Sequence, residues 1–105
     1  MANYLLAYHG GGMPENEAEG AKVMQAWMTW FGTLGGAVVD GGNPSGAAKT
    51  INANGSVTDG GGANPITGYS VVSADSLDAA VKMAAGCPIL ASGGSVQVCE
   101  TFNAM

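Results

Sequence analysis

The residues in this sequence best suited to chemistry are one histidine and two aspartates, and each precedes a run of glycines. His9 is the only histidine, and it ends the apolar segment YLLAYH before three glycines. Asp40 is followed by two glycines and Asp59 by three. An imidazole with a pKa of about 6.5 is the natural acid–base group at neutral pH, and adjacent glycines let a ligand approach the backbone. The pattern predicts an acid–base site at His9, with Asp40 or Asp59 orienting the ring.

Simpler interpretations of the same three residues stay open. His9 is equally consistent with a strand-end residue bonded to a backbone carbonyl, and both aspartates with turn residues that bond their own backbone. One histidine and two aspartates also form a weak donor set for a metal. The cysteines have no metal-ligand spacing, and the glycine runs lack the lysine of a phosphate-binding loop. We therefore predict neither a metal nor a cofactor.

The composition restricts the classes of partner. Only 10% of the 105 residues are charged, the formal net charge is −5, and three lysines with no arginine are the only basic side chains besides His9. Nucleic acids and anionic membrane surfaces require a basic patch, which these residues cannot supply. With 47% hydrophobic residues, so little charge favours burial of some surface in a homodimer.

The sequence shows no targeting segment. No apolar run approaches the roughly 20 residues of a membrane helix, and no basic region opens a signal peptide. Cys87 and Cys99 are interpreted as reduced thiols. We expect a cytoplasmic protein with a single domain over residues 1–105.

Four main strands are predicted, near residues 3–9, 37–41, 67–74 and 95–102. In the first strand, alternation places His9 on the face opposite Tyr8. In the last strand, an apolar face alternates with a mildly polar one; the first comprises Val96, Val98 and Phe102, and the second Gln97, Cys99 and Thr101. Between the second and third strands, Asn54-Gly55 predicts a hairpin of segments 49–52 and 56–59.

Two helices are predicted from helical spacing of apolar residues. The first spans Glu15–Leu34, with Pro14 suited to a first turn and a capping box of Asn16 and Glu19. The second begins after Asp75 or Ser76 and ends at Gly86. The expected buried stripes are Met24, Trp27, Met28, Phe31 and Leu34 in the first helix, and Leu77, Ala80, Val81 and Ala84 in the second. The aromatic residues Trp27, Trp30 and Phe31 are interpreted as core or interface.

The element order is therefore β, α, β, inserted hairpin, β, α, β. Two βαβ halves predict an α+β fold of the ferredoxin-like type, with an antiparallel sheet and both helices on one face. The other face of the sheet would then meet solvent or a second sheet.

The segment TDGGGANPITGYSVVSADSLDAAVKMAAGCPIL resembles the signature region of the YCII-related proteins, in particular their DGPF-type branch. That branch has an Asp-Gly-Pro-Phe loop, a Gly-Tyr strand, a helix opening with Asp-Ser-Leu-Asp-Ala, and a Cys-Pro stop. Here the loop begins at Asp59 with glycines in place of Pro and Phe, the strand has Gly68-Tyr69, and the helix ends at Cys87-Pro88. The first and last strands are similar to that family's as well, so the likeness covers nearly the whole chain.

The resemblance implies a dimeric α/β barrel, in which two ferredoxin-like sheets pack face to face around a cavity. It also implies a pocket in which better-studied members, similar to a dehydrochlorinase, hold a His–Asp pair. Asp59 matches the first position of the DGPF loop, and His9 is the histidine this chain offers. Because some members are encoded beside sigma factors, the resemblance also implies a regulatory role for part of the family.

Two hypotheses for function follow. In the first, a pocket for a small, largely apolar molecule carries acid–base chemistry of the isomerase, lyase or dehydrochlorinase type, with His9 and Asp59 or Asp40 as catalytic residues. In the second, the protein is a non-catalytic ligand-binding or regulatory homodimer, linked to sigma-factor-dependent transcription. In both, Tyr69, Gln97 and Cys99 are the predicted pocket residues.

Overall fold

The computed structural model describes residues 1–12 and 15–103. Eight helices and strands follow one another along the chain: β1 (Ala2–His9), α1 (Glu17–Leu34), β2 (Val38–Asp40), β3 (Lys49–Ile51), β4 (Val57–Asp59), β5 (Ile66–Ala74), α2 (Leu77–Ala84) and β6 (Ser95–Glu100). Single 3-10 turns cover Gly35–Ala37 and Pro88–Ser92. No helix in these described ranges is both long and apolar enough to cross a bilayer.

The main sheet has the strand order β2-β5-β1-β6, and every neighbouring pair is antiparallel. The fold is therefore α+β, with a strand order compatible with the predicted ferredoxin-like arrangement. The predicted strand bounds are confirmed to within a few residues, except that the last strand ends at Glu100. Phe102, predicted for its apolar face, lies beyond β6 and is exposed, because β1 begins at Ala2 and offers almost no chain for Phe102 to pair with.

One face of the sheet carries the hydrophobic core, as the alternation in β1 predicts. Tyr4, Leu6 and Tyr8 are buried together with side chains of both helices. Val72 pairs with Tyr4 across the strands and shares its face. On the opposite side, cross-strand pairing joins the alternate residues into what we call the helix-free face: Leu5, Ala7, His9, Asp40, Tyr69, Val71, Gln97 and Cys99, with Val39 in the β2 bulge beside Asp40.

Helix α1 begins two residues later than predicted, at Glu17, after Asn16 as its N-cap. The Asn16 side-chain oxygen accepts from the Glu19 backbone N–H at 2.9 Å, which confirms the capping role. Pro14, predicted for the first turn, lies outside the described residues. At the other end, the helix stops at Gly35, whose backbone N–H donates to the Phe31 carbonyl.

The buried side of α1 differs from the predicted stripe. Met24 and Met28 are each 63% exposed, whereas Trp30 is buried and Trp27 and Phe31 are partly buried. The three aromatic rings pack edge-on or tilted, with centroids 5.0–5.9 Å apart. Because these large rings fill the space above the sheet, the helix turns both methionines outward, and the prediction of their burial is wrong.

Helix α2 is capped by Ser76, whose side chain accepts from the Ala79 backbone N–H at 3.1 Å. Ala80 and Ala84 are buried, but Leu77 and Val81 stay about half exposed. Small alanines let the short helix lie close to the sheet along a single narrow line, which leaves the flanking apolar residues outside the contact. The predicted stripe is therefore correct for the alanines and wrong for Leu77 and Val81.

The predicted hairpin forms a separate two-stranded sheet of β3 and β4, with Gly55 in its loop at φ 87°. We call residues 46–65 the arm, and every one of them is exposed. The radius of gyration is 15.1 Å, against about 13 Å for a compact chain of this length. Extents of 43 × 41 × 18 Å describe a broad, thin molecule, one helix layer on one sheet, with a protruding arm.

Candidate functional site

The glycine turns that follow β1 and β2 come together at one cavity. Its volume is about 630 Å³, and it lies between α1 and the ends of β1, β2 and β5. Gly10–Gly12, Gly41–Ser45 and Thr67–Tyr69 supply its backbone walls, and the side chains that line it from β1, α1 and the Pro88–Ser92 turn are Tyr8, Val23, Met24, Trp27, Phe31, Ile89 and Ser92.

Three aromatic rings form the floor of this cavity. The Tyr8 and Trp27 rings meet edge to face with centroids 5.1 Å apart, and Trp27 and Phe31 lie 5.9 Å apart. Such edge and tilted contacts are the favoured geometry of aromatic pairs. Because each ring is held by its neighbour, the floor is a preformed apolar surface.

A chain of hydrogen bonds fixes the wall between the floor and the second glycine turn. The Tyr8 hydroxyl donates to Ser70 Oγ at 2.7 Å, and Ser70 Oγ donates to the Gly41 carbonyl at 2.7 Å. Burial raises the pKa of Tyr8 to about 12, although the bond to Ser70 acts in the opposite direction. Tyr8 is therefore neutral over the physiological range and supplies shape and polarity, not a charge.

Gly42 sits where no other residue fits. Its φ is +71°, and a Cβ built on it would lie 1.8 Å from the Tyr69 carbonyl oxygen. Asp40 Oδ1 accepts from the Gly42 backbone N–H at 2.8 Å. The Asp40 side chain therefore bonds the backbone of its own turn, which is the turn-residue role given above as the simpler interpretation.

The chemistry of the cavity lining is apolar and neutral. Among the described residues that line it, none is a histidine, cysteine, aspartate, glutamate or lysine. The polar groups are backbone amides and carbonyls, the Asn43 amide, and hydroxyls. This set can hold and orient a ligand but offers no group that changes protonation near neutral pH.

His9 lies on the other face of the sheet. It is 8% exposed, and its Nδ1 faces the Asn64 carbonyl at 3.0 Å and the Pro65 carbonyl at 3.3 Å. Since carbonyls only accept, Nδ1 carries a proton and donates. Nε2 lies 3.2 Å from the Gln97 side-chain oxygen, and the Gln97 amide can present oxygen or nitrogen to it by rotating.

The structure brings together only part of the predicted site. His9 and Gln97 are in contact, and Cys99 is partly buried further along the same face, opposite Leu5. Asp59 lies in the arm, where its carboxylate accepts from Lys49 Nζ at 2.6 Å. None of the His9 hydrogen bonds within the described ranges reaches a carboxylate.

Of the predicted pocket residues, Tyr69 contributes backbone to the wall of this cavity, while Gln97 and Cys99 lie on the helix-free face. Sequence reasoning placed Trp27 and Phe31 in the core and did not assign them to a site. Their four-residue spacing on the side of α1 that meets the glycine turns was the available signal. Within residues 1–12 and 15–103, no group of three potential metal ligands occurs.

A second, shallower groove of about 780 Å³ runs between α1 and the Ala85–Ser92 segment. The buried thiol of Cys87 is among its residues, and burial raises the pKa of that thiol. A raised thiol pKa disfavours the reactive thiolate, so Cys87 is not an activated nucleophile.

Comparison of the chain with models of protein families finds no match, and a search of curated proteins finds no match either.

Proposed function

We propose that this protein is a homodimeric binding module for a small, largely apolar molecule, held in the cavity between α1 and the two glycine turns. One observation carries the proposal: a preformed cavity of about 630 Å³ whose described lining is aromatic, aliphatic and glycine-rich, with no residue that titrates near neutral pH. Ligand sites typically measure 300–1,000 Å³ and combine such surfaces with a few polar groups.

The lining also limits the chemistry of the ligand. Tyr8, Trp27 and Phe31 offer ring surfaces, and the glycine turns offer backbone groups at close range. A cation that could neutralise a carboxylate or phosphate is missing from the described lining. The ligand we infer is therefore uncharged, flat or ring-containing, and able to make a few hydrogen bonds.

The homodimer part of the proposal rests on the shape of the chain. The sheet has helices on one face only, and the molecule is 18 Å thin in its shortest direction. On the helix-free face, Val39 and Tyr69 are exposed and Leu5 and Val71 are partly buried, while the Asp40 carboxylate bonds its own turn, so the face is mainly apolar. Pairing of two such faces gives the dimeric α/β barrel that the resemblance to YCII-related proteins implies.

Acid–base chemistry at His9 is the second candidate function. Its specific support is that two backbone carbonyls fix the Nδ1 proton, while Nε2 has a single side-chain contact at 3.2 Å that a substrate could displace. In a face-to-face dimer, His9 would lie inside the barrel. A cytoplasmic location agrees with the free thiols of Cys87 and Cys99, and the link to sigma factors rests on the resemblance alone.

A titration with the neutral fluorophore N-phenyl-1-naphthylamine tests the binding proposal. Met24 lines the cavity and Met28 does not, yet both are 63% exposed on the same helix. Met24→Lys should weaken binding about tenfold, equivalent to about 1.4 kcal/mol, because it places a strongly hydrated charge at the cavity. Met28→Lys is the matched control and should change affinity less than twofold.

Equal affinities for the two variants, or no binding to the unmodified protein, would contradict the cavity as the binding site. His9→Asn separates the two candidate functions. It should leave probe affinity unchanged if the cavity on the helix side is the site, and should weaken binding if the ligand sits at His9.

A further inference from the structure

The arm carries an apolar pair that stays largely exposed among the described residues of its own chain. Ile51 pairs with Val57 across β3 and β4, so both side chains lie on the same face of the ribbon. They are 76% and 60% exposed. A two-stranded hairpin alone is marginally stable in water, so such a ribbon gains stability from a surface that covers this face.

The ribbon face that carries Ile51 and Val57 has no net charge, and it suits a partner surface that is also largely uncharged. Lys49 and Asp59 lie on the same side of the ribbon as the apolar pair, and they neutralise each other at 2.6 Å. The face therefore presents two apolar side chains beside an internally paired ion pair. The helix-free face is likewise mainly apolar, and its Asp40 carboxylate accepts from the Gly42 backbone N–H in its own turn, so the two surfaces match in character.

The root of the arm leaves the sheet on the side of the helix-free face. His9, whose side chain belongs to that face, donates through Nδ1 to the carbonyls of Asn64 and Pro65. Thr67 Oγ1 donates to the Gly10 carbonyl at 3.1 Å and secures the same junction. The returning strand of the arm is thus tied to the side on which a second sheet would pack.

The area of the sheet alone is small for a stable dimer. Strands of 8, 3, 9 and 6 residues spaced about 4.8 Å apart have a planar footprint of about 400 Å². A stable interface buries about 800 Å² on each partner. Two arms, one from each protomer, would supply the additional area and would extend the proposed interface without a break.

We propose that the arm of each protomer packs its Ile51–Val57 face onto the helix-free side of a second copy of this chain. This inference rests on the proposed homodimer and adds its reciprocal arm contacts. The arm thereby forms part of the interface and is not a free loop, and the apolar pair becomes buried on assembly.

Isotope-filtered NMR on a mixed dimer tests the contact directly. The chain has three isoleucines, Ile51, Ile66 and Ile89, so labelling isoleucine methyls in one protomer gives a simple spectrum. Ile51 should show intermolecular nuclear Overhauser effects to unlabelled partner protons. Ile89, buried in the core of its own chain, should show none and serves as the internal control.

Sedimentation equilibrium of three variants distinguishes the arm contact from the homodimer on which it depends. Ile51→Lys should raise the dimer dissociation constant at least about tenfold, as should Val39→Lys on the sheet face, while Met28→Lys should leave it unchanged. A dimer weakened by Val39→Lys alone, without Ile51 contacts in the filtered spectrum, overturns the arm contact and keeps the sheet dimer. A monomeric unmodified protein at NMR concentration overturns both.

Discussion

The chain contains two Asp-Gly-Gly turns with opposite structural roles. Asp40-Gly41-Gly42 lies at the end of a strand in the main sheet, walls the cavity and is held by its neighbours. Asp59-Gly60-Gly61 lies in the arm, where Asp59 forms an exposed ion pair with Lys49. The tripeptide itself therefore does not mark a site, because the surrounding strands determine what its aspartate and glycines contact.

The difference lies in what approaches each turn. At the first turn, the Ser70 hydroxyl donates to Gly41, and the Tyr69 carbonyl occupies the space where a Gly42 side chain would be. At the second turn, Gly60 has φ +88° but open space around it. The first turn is therefore constrained by packing against the main sheet, whereas the hydrogen bonds of Gly60, to Ala48 and Thr50, stay within the arm, and only its backbone conformation opposes a side chain there.

Alanine substitution of one glycine in each turn should give the largest difference. Gly42→Ala adds a Cβ that collides with a backbone carbonyl and also strains a positive φ, so we expect a loss of about 3 to 5 kcal/mol in unfolding free energy. Gly60→Ala adds only the backbone strain, about 1 to 2 kcal/mol. Urea unfolding followed by tryptophan fluorescence measures both, and equal losses would show that packing does not distinguish the turns.

Removal of the Tyr8 hydroxyl should release the first turn and leave the second unaffected. Tyr8→Phe loses the bond to Ser70, which costs about 1 kcal/mol at neutral pH. Because Tyr8 ionises near pH 10 when unfolded and at about 12 when folded, its contribution is complete below pH 10 and declines as the pH rises through 12. That decline amounts to up to about 2 kcal/mol.

Tyr8→Phe has no hydroxyl at this position to ionise, so its stability should not decline for this reason. The difference in unfolding free energy between the unmodified protein and Tyr8→Phe should therefore shrink between pH 10 and 12. Chemical unfolding at several alkaline pH values measures it. Parallel curves over that range would show that Tyr8 is not held in its neutral form by the folded chain.

Alanine substitution of the two aspartates should give the smallest difference in stability loss between the turns. Asp40→Ala removes the side-chain bond to the Gly42 backbone N–H and should cost about 1 kcal/mol. Asp59→Ala removes an exposed ion pair, which is worth about 0 to 1 kcal/mol and is weakened by salt. Unfolding at low and high salt separates the two effects, and a salt-sensitive loss at Asp40 would contradict its role as a turn residue.

The sequence predicts much of the fold because local signals and tertiary packing agree there. The alternation in β1, the Asn16 and Ser76 caps and the Asn54-Gly55 hairpin are all determined within a few residues, and the structure confirms them. The rotation of α1 was not predictable from spacing alone. Both a methionine stripe and an aromatic stripe fit the helical period, and the packing of the large rings decides between them.

The candidate site was harder to predict because its parts come from distant segments. The position of His9 beside glycines drew attention to the end of β1, where the glycine turn borders the cavity. Alternation, however, places Tyr8 on the cavity side and His9 on the other. The partners of His9, the carbonyls of Asn64 and Pro65, are backbone groups that any sequence would supply. No pattern of side chains could have indicated them.

In the proposed function, a small apolar molecule binds on the helix side of the sheet, against the glycine turns. Mapping of backbone amide chemical shifts during titration with N-phenyl-1-naphthylamine tests it most directly, because the amides report both faces at once. We predict shifts at Gly11, Gly42 and Gly68, which line the cavity, and none at Gln97 or Cys99 on the helix-free face. Shifts confined to Gln97 and Cys99, with the glycine amides unchanged, would contradict the account and place the ligand at His9.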